Sequence, residues 1–214
     1  MLRLYTYFRS SAAYRVRIAL HLKGLPYEAV PVHLLRGGGE QHDPAYAARN
    51  PAELVPMLED GDLTLTQSLA IIEYLDARHP YPALLPQDPA ARARVRSLAL
   101  AVACDIHPLA NLRVLRYLKG LGIEEPQRRE WSRHWIATGL MAIERLLTAD
   151  GATGSCCHGD APTIADCCLI PQVFNATRVG CELQPWPTVL RIYEHCNELE
   201  PFRLAAPAAQ PDAE

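Results

Sequence analysis

The apolar positions of this chain change period as the sequence proceeds, and each change marks an element. Alternation over Leu2 to Tyr7 reads as a strand, after which Val16, Ala19, Leu20 and Leu22 recur at helical spacing. Lys23-Gly24 predicts the end of that helix. A second strand-like run covers Tyr27 to Val32, and a short, weakly patterned segment follows the loop at Gly37-Gly38-Gly39. Two further strands, Val55 to Leu58 and Leu63 to Leu65, flank Asp60-Gly61, a pair that favours a tight hairpin. Ser68 to Arg78 then carries Ile71, Ile72 and Leu75 at helical spacing.

The resulting order, β-α-β-α-β-β-α, predicts a thioredoxin-like arrangement in which a four-stranded sheet carries helices on its faces. Four prolines between His79 and Pro89 suit a linker. From Ala90 onward no strand pattern survives, and helical runs over 90–119, 126–148, 163–179 and 187–198 predict an all-α bundle. The expected fold class is α/β plus all-α, with a first domain at 1–80, a linker at 81–89 and a second domain at 90–214. The Ala/Pro-rich tail after Ala205 is expected to be loosely held. Thr163-Ile164-Ala165-Asp166 has the threonine and acidic residue three apart that cap a helix start.

Composition narrows the function classes. With 49% hydrophobic and 21% charged residues the chain is ordinary for a globular protein, and a net charge of −3 offers no basic field for nucleic acid or anionic lipid. MLRLYTYF lacks the order of a secretion signal, and no uninterrupted apolar run has the length of a membrane span, so a cytoplasmic location is expected. The seven cysteines include the adjacent pairs Cys156-Cys157 and Cys167-Cys168 but no C-x-x-C, which predicts reduced structural thiols and no metal site.

Three places carry candidate chemistry. Phe8-Arg9-Ser10-Ser11 ends the first strand and opens the first helix, where a serine hydroxyl either caps the helix or donates to an anion that the helix dipole also favours. A thiol bound there would ionise more readily, because the thiolate is the form these groups stabilise. Asn50-Pro51 and Leu54-Val55-Pro56 precede the third strand, and a proline at that position is compatible with a cis bond exposing neighbouring backbone to a ligand. Gln67-Ser68 starts a helix with an amide, a hydroxyl and backbone N–H groups suited to a carboxylate; a plain serine cap is the alternative.

Together these segments resemble the glutathione transferase superfamily, and within it the zeta class of maleylacetoacetate and maleylpyruvate isomerases. The resemblance rests on Arg9-Ser10-Ser11 with Arg15-Val16-Arg17-Ile18-Ala19-Leu20, on Asn50-Pro51, Val55-Pro56 and Gln67 to Leu75, and on Leu84-Leu85-Pro86. In the second half it rests on His107-Pro108-Leu109, Asn111-Leu112-Arg113, Gly159-Asp160, Thr163 to Asp166 and Pro171-Gln172-Val173. It implies the glutathione transferase fold, glutathione as cofactor and a homodimer. It also implies that Ser10, assisted by Ser11 and the helix terminus, donates to the glutathione sulfur. Arg15, Gln41, Val55, Pro56, Gln67 and Ser68 would hold the tripeptide, with His107, Asn111 and Arg113 added from the helical domain. One departure is that the zeta pattern usually reads Ser-Ser-Cys, a residue, then Trp, whereas Ala12 and Tyr14 stand here, so no thiol at position 12 can assist.

The reaction implied is cis–trans isomerisation of a small unsaturated diketo acid: maleylacetoacetate to fumarylacetoacetate in aromatic amino-acid catabolism, or maleylpyruvate in gentisate-type catabolism. Arg9, Arg113 and Arg178 are candidates for the substrate carboxylates and the developing enolate, since guanidinium pairs bidentately with carboxylates. A general detoxifying transferase and a non-catalytic binding module are compatible with the same fold. A thioredoxin-like disulfide reductase fits less well, because Ser10 to Ala13 occupy the place of its C-x-x-C.

Overall fold

The computed structural model describes all 214 residues and divides into two compact units, Met1–Leu84 together with Glu198–Glu214, and Leu85–Asn197. The first unit is built on a four-stranded sheet in the order β2-β1-β3-β4. Strand β1 (Leu2–Thr6) lies parallel to β2 (Tyr27–Pro31) and antiparallel to β3 (Met57–Asp60), which returns through Gly61 and Asp62 into β4 (Leu63–Thr66). Gly61 has φ of 61°, the left-handed backbone that this tight turn demands and glycine adopts without penalty.

Helices α1 (Ser11–Leu22) and α3 (Ser68–Arg78) pack together, and a single turn of helix, α2 (Pro44–Ala47), interrupts the long β2–β3 connection. Leu4, Ile18, Leu20, Leu58, Ile71, Ile72 and Leu75 are fully buried, each contributing about 1.5–3 kcal/mol of hydrophobic stabilisation. Helix α1 ends at Lys23, whose ammonium is also buried: it donates to the carbonyls of His79 and Pro82 at 2.7 Å each and pairs with Asp76 at 2.7 Å. The Leu84 N–H donates to the same Asp76 carboxylate at 2.8 Å, so the first part of the expected linker, 81–84, is tied to the first unit.

The second unit is helical: α4 (Pro89–Leu100), α5 (Leu112–Gly120), α6 (Glu125–Thr148), α7 (Ile164–Val179) and α8 (Pro187–Glu198). The run expected to be continuous over 90–119 is broken by a π-helical stretch at 101–106 and a 3-10 turn at 107–110, which contains Pro108 and leads to Asn111 as the cap of α5. By length and composition the stretch 89–120 is apolar enough to cross a membrane, but it is this broken segment, with Val95, Leu98, Ala99, Val102 and Ile106 in the core. Helix α7 is buried on nearly every side, and the buried Glu144 carboxylate caps α8 by accepting from the Thr188 and Val189 N–H groups at 3.0 and 2.9 Å.

The C-terminal segment corrects the sequence expectation twice. Residues 198–214 belong to the first unit, not the second, and the tail after Ala205 is not loose. Helix α9 (Glu200–Ala205) packs Phe202 and Ala205 against α1, and the buried Gln210 side chain donates to the carbonyls of Leu204 and Ala206 at 2.9 Å each. Low periodicity in an Ala/Pro-rich stretch concealed this packing.

Candidate functional site

Register places three connections at one end of the sheet. Thr6 pairs with Pro31, Tyr5 with Met57, and Met57 with Thr66. The ends of β1, β2 and β4 and the start of β3 therefore lie together, and the three connections there carry Ser10 (β1–α1), Gln41 and Val55-Pro56 (the two ends of the β2–β3 connection) and Gln67-Ser68 (β4–α3). Residues far apart in sequence converge because strand pairing fixes where each loop begins.

At the β1–α1 connection Ser10 is the N-cap of α1, with its Oγ accepting from the Ala13 N–H at 3.2 Å. That bond uses a lone pair and leaves the hydroxyl proton free to donate, so cap and donor are simultaneous roles of one hydroxyl. Ser10 and Ser11 are half-buried, and the first turn of α1 holds no acidic residue, so no side chain of the helix itself neutralises its dipole.

The peptide between Val55 and Pro56 is cis, and the ladder of β3 begins only at Met57. This approach is held from behind: the Leu54 carbonyl accepts from the Asn50 Nδ2 at 2.6 Å and from the Tyr46 hydroxyl at 2.5 Å. Buried Asn50 thus works as a clamp on the loop. Glu53, with φ of 54°, bends the chain between them, and its carboxylate lies 2.5 Å from His42 Nδ1.

Gln67 has φ of 69°, a left-handed conformation that costs energy for a side chain with a Cβ and concentrates at ligand sites. It precedes α3 without making a side-chain cap, so the N–H groups of that helix start stay open to a ligand. Ser68 is buried and its hydroxyl accepts from Arg15 Nη1 at 3.2 Å; buried Arg15 therefore ties α1 to the start of α3. Gln41, also buried, has a side-chain carbonyl with no partner in the protein, an acceptor that a ligand N–H would satisfy. Its neighbour Gly39 has φ of 120°, and a Cβ there would lie 2.5 Å from the Gln41 amide.

The remaining candidates are more dispersed. Arg9 is exposed in the first unit, donates to the Tyr7 hydroxyl at 2.9 Å and lies 5.1 Å from the Phe8 ring centre. In the second unit His107 opens the 3-10 turn, Asn111 caps α5 by accepting from the Val114 N–H at 3.2 Å, and Arg113 is exposed on α5. Arg178 lies in the last turn of α7 and donates to Asn175 at 2.8 Å. A recess of about 450 Å³ between the loop after β2 and Pro211–Glu214 contains none of these side chains except the flanks of their loops.

The paired cysteines gather elsewhere. Cys156, Cys196 and the Asp166 carboxylate come within 4.8 Å of one another, all buried. The carboxylate is already committed, accepting from the Cys157 and Thr163 N–H groups at 2.8 Å and the Thr163 hydroxyl at 2.9 Å. Burial, reinforced by Asp166, pushes the Cys157 thiol well up, and a bond with Cys156 together with burial pushes Cys196 up. For Cys157 and Cys196 both shifts favour the neutral thiol over the thiolate.

Sequence reading missed Arg17, the largest fully buried side chain, although an arginine two residues after another inside an apolar helix was a signal that both could not face solvent. Burial lowers its pKa to about 10, offset by nearby Tyr27, Tyr14 and Asp212. Its guanidinium donates to the Ala205 carbonyl at 2.9 Å, the Thr6 hydroxyl at 2.9 Å and the Phe8 carbonyl at 3.0 Å.

Comparison with known proteins agrees with this geometry. Residues 4–86 match the family model described as glutathione S-transferase, N-terminal domain. The chain is 50% identical over 213 residues to maleylacetoacetate isomerase of Pseudomonas aeruginosa, covering 99% of this chain and 98% of that one. A holo structure of maleyl pyruvate isomerase, described as a bacterial zeta-class glutathione S-transferase, superposes with a TM-score of 0.96 at 48% identity, covering 99% and 100% of the two chains. Maleylacetoacetate isomerase from Methylobacterium extorquens AM1, solved with bound malonate and glutathione, gives a TM-score of 0.95 at 44% identity, with 99% of each chain covered.

Proposed function

We infer the function from one premise: the chain belongs to the glutathione transferase family, in the zeta-class branch of the maleylacetoacetate and maleylpyruvate isomerases. It is a glutathione-dependent cis–trans isomerase that converts maleylacetoacetate to fumarylacetoacetate in aromatic amino-acid catabolism. The observation that carries this reading is the hydroxyl of Ser10, its proton unspent, at an acid-free helix start on the sheet edge where the Gln41, Val55 and Gln67 loops meet. Maleylpyruvate is the second reading, favoured by the 0.96 TM-score to the maleyl pyruvate isomerase.

The residues fit glutathione. A tripeptide brings N–H donors to the buried Gln41 acceptor and a carboxylate to the uncapped start of α3 beside Gln67 and Ser68, with Val55 offering peptide groups outside the ladder. Arg15 holds Ser68 in place. Bound glutathione supplies a thiol whose anion adds reversibly across the cis double bond, allows rotation and is returned unchanged. Ser10 donates to that sulfur, and Ser11 and the dipole of α1 favour its charged form. Arg9 is the first unit's candidate for a substrate carboxylate, and the candidates that the second unit carries are Arg113 and Arg178 for substrate charge and His107 and Asn111 for the cofactor. The first unit is the glutathione-binding domain and the second the substrate domain of a cytoplasmic homodimer.

The test is spectroscopic loss of each cis substrate with and without glutathione. Turnover that requires glutathione while total free thiol stays constant is expected. Stoichiometric loss of thiol would mean transferase chemistry instead.

A further inference from the structure

The turn that carries Ser10 is held by the far end of the chain. Its backbone N–H donates to the Tyr7 carbonyl at 2.9 Å, so the position of Ser10 follows the Tyr7-Phe8-Arg9 turn. Both sides of Phe8 in that turn are gripped by charged groups: its carbonyl accepts from Arg17 Nη2 at 3.0 Å, and its N–H donates to Asp212 Oδ2 at 2.9 Å, across 204 residues of sequence. The two grips are themselves connected through the C-terminal segment, because Arg17 Nε donates to the Ala205 carbonyl and Gln210 fastens the intervening stretch to Leu204 and Ala206.

Resting on the isomerase reading, we propose that Asp212 is a positioning residue for the thiolate site, acting through the Phe8 N–H to set where the Ser10 hydroxyl points. A loop with only one anchor could rotate its peptide planes. With the Phe8 peptide groups fixed at N–H and carbonyl, the turn presents Ser10 in one orientation, which is the preorganisation a charge-stabilising donor needs. Asp212 also places a negative charge near buried Arg17, favouring the charged guanidinium that makes the second grip. The tail is thus a strap whose last link reaches two residues short of the donor.

The experiment follows the thiolate absorbance of glutathione bound to the full-length protein as a function of pH, with steady-state kinetics alongside. D212A should raise the ionisation midpoint by up to about one pH unit and lower kcat about tenfold at neutral pH, leaving the KM for glutathione within about twofold. Exchange of the Phe8 amide hydrogen should accelerate. D212N, which keeps an acceptor oxygen without the charge, should fall between D212A and the wild type. I143V, in the core of α6 in the second unit, should lower Tm and leave the midpoint alone. A folded D212A with the wild-type midpoint and kcat would overturn the inference, as would an equal shift in I143V. Should D212A fail to fold, D212N carries the test, and a folded D212N with the wild-type midpoint and kcat overturns the inference. A wild-type protein that binds no glutathione thiolate would overturn the isomerase reading itself, whereas a normal wild type beside an unshifted D212A overturns only the role of Asp212.

Discussion

Helices α1 and α7 both begin at a hydroxyl that accepts from its own helix: Ser10 from the Ala13 N–H at 3.2 Å, Thr163 from the Ala165 N–H at 3.2 Å. Beyond that bond they diverge. The Thr163 hydroxyl proton is spent on Asp166 at 2.9 Å, the Asp166 carboxylate takes two further N–H groups, and the whole cluster is buried. At Ser10 the proton is unspent, the first turn has no acid and the residue is half-exposed. One helix start has supplied its own anion and closed; the other waits for one. A capping residue becomes a candidate for chemistry when its donor is unused and its dipole uncompensated, and both properties depend on tertiary surroundings.

The comparison can be broken first at α7. Asp166→Ala leaves the buried Cys157 and Thr163 N–H groups without their acceptor, and a loss of about 3–5 kcal/mol is expected in urea unfolding. Loss below about 1 kcal/mol would mean that the closed cap is not the structural element described. At α1 the balance reverses: Ser10→Ala should cost only about 1 kcal/mol of stability while slowing isomerisation roughly 10- to 150-fold at neutral pH. Its KM for glutathione should barely move, since Gln41, Gln67 and Ser68 lie on other loops. Ser11→Ala should slow the reaction less than Ser10→Ala; the reverse ranking would transfer the donor role to Ser11.

The smallest effect concerns the loop leading into α7. The Ser155 N–H donates to the Asp160 carboxylate at 2.9 Å, and this bond, with burial opposing it, holds the carboxyl pKa below its ordinary 3.8. Because the folded value is depressed, the contribution of Asp160 is present above pH of about 3.8 and is lost as pH falls through the lower folded value. An NMR titration of the Asp160 carboxyl should show that lowered midpoint, and a midpoint at or above the ordinary value would remove the bond from the loop's description.

Local features were legible in the sequence. Asp60-Gly61 announced its hairpin, and Ser68 to Arg78 is the observed span of α3, because turn chemistry and helical period are properties of neighbouring residues. The capping box at Thr163 and Asp166 formed as its spacing implied. What could not be read were the long-range bonds. Nothing near Phe8 predicts that Asp212 will accept from it, and nothing in the Ala/Pro-rich tail predicts that Ala205 will face buried Arg17. The left-handed backbone at Gln67 and Glu53 was equally hidden, since neither residue type favours it and only the surrounding loops impose it.

The most direct measurement is the ionisation of glutathione bound to wild-type protein and to Ser10→Ala, read as thiolate absorbance against pH. In the wild type the midpoint should fall well below about 8.5, the value of an ordinary cysteine thiol, and in Ser10→Ala it should rise by about one to two units, with activity recovering along the same curve. Coincident midpoints in the two proteins would contradict the role given to Ser10 and leave its hydroxyl as a helix cap alone.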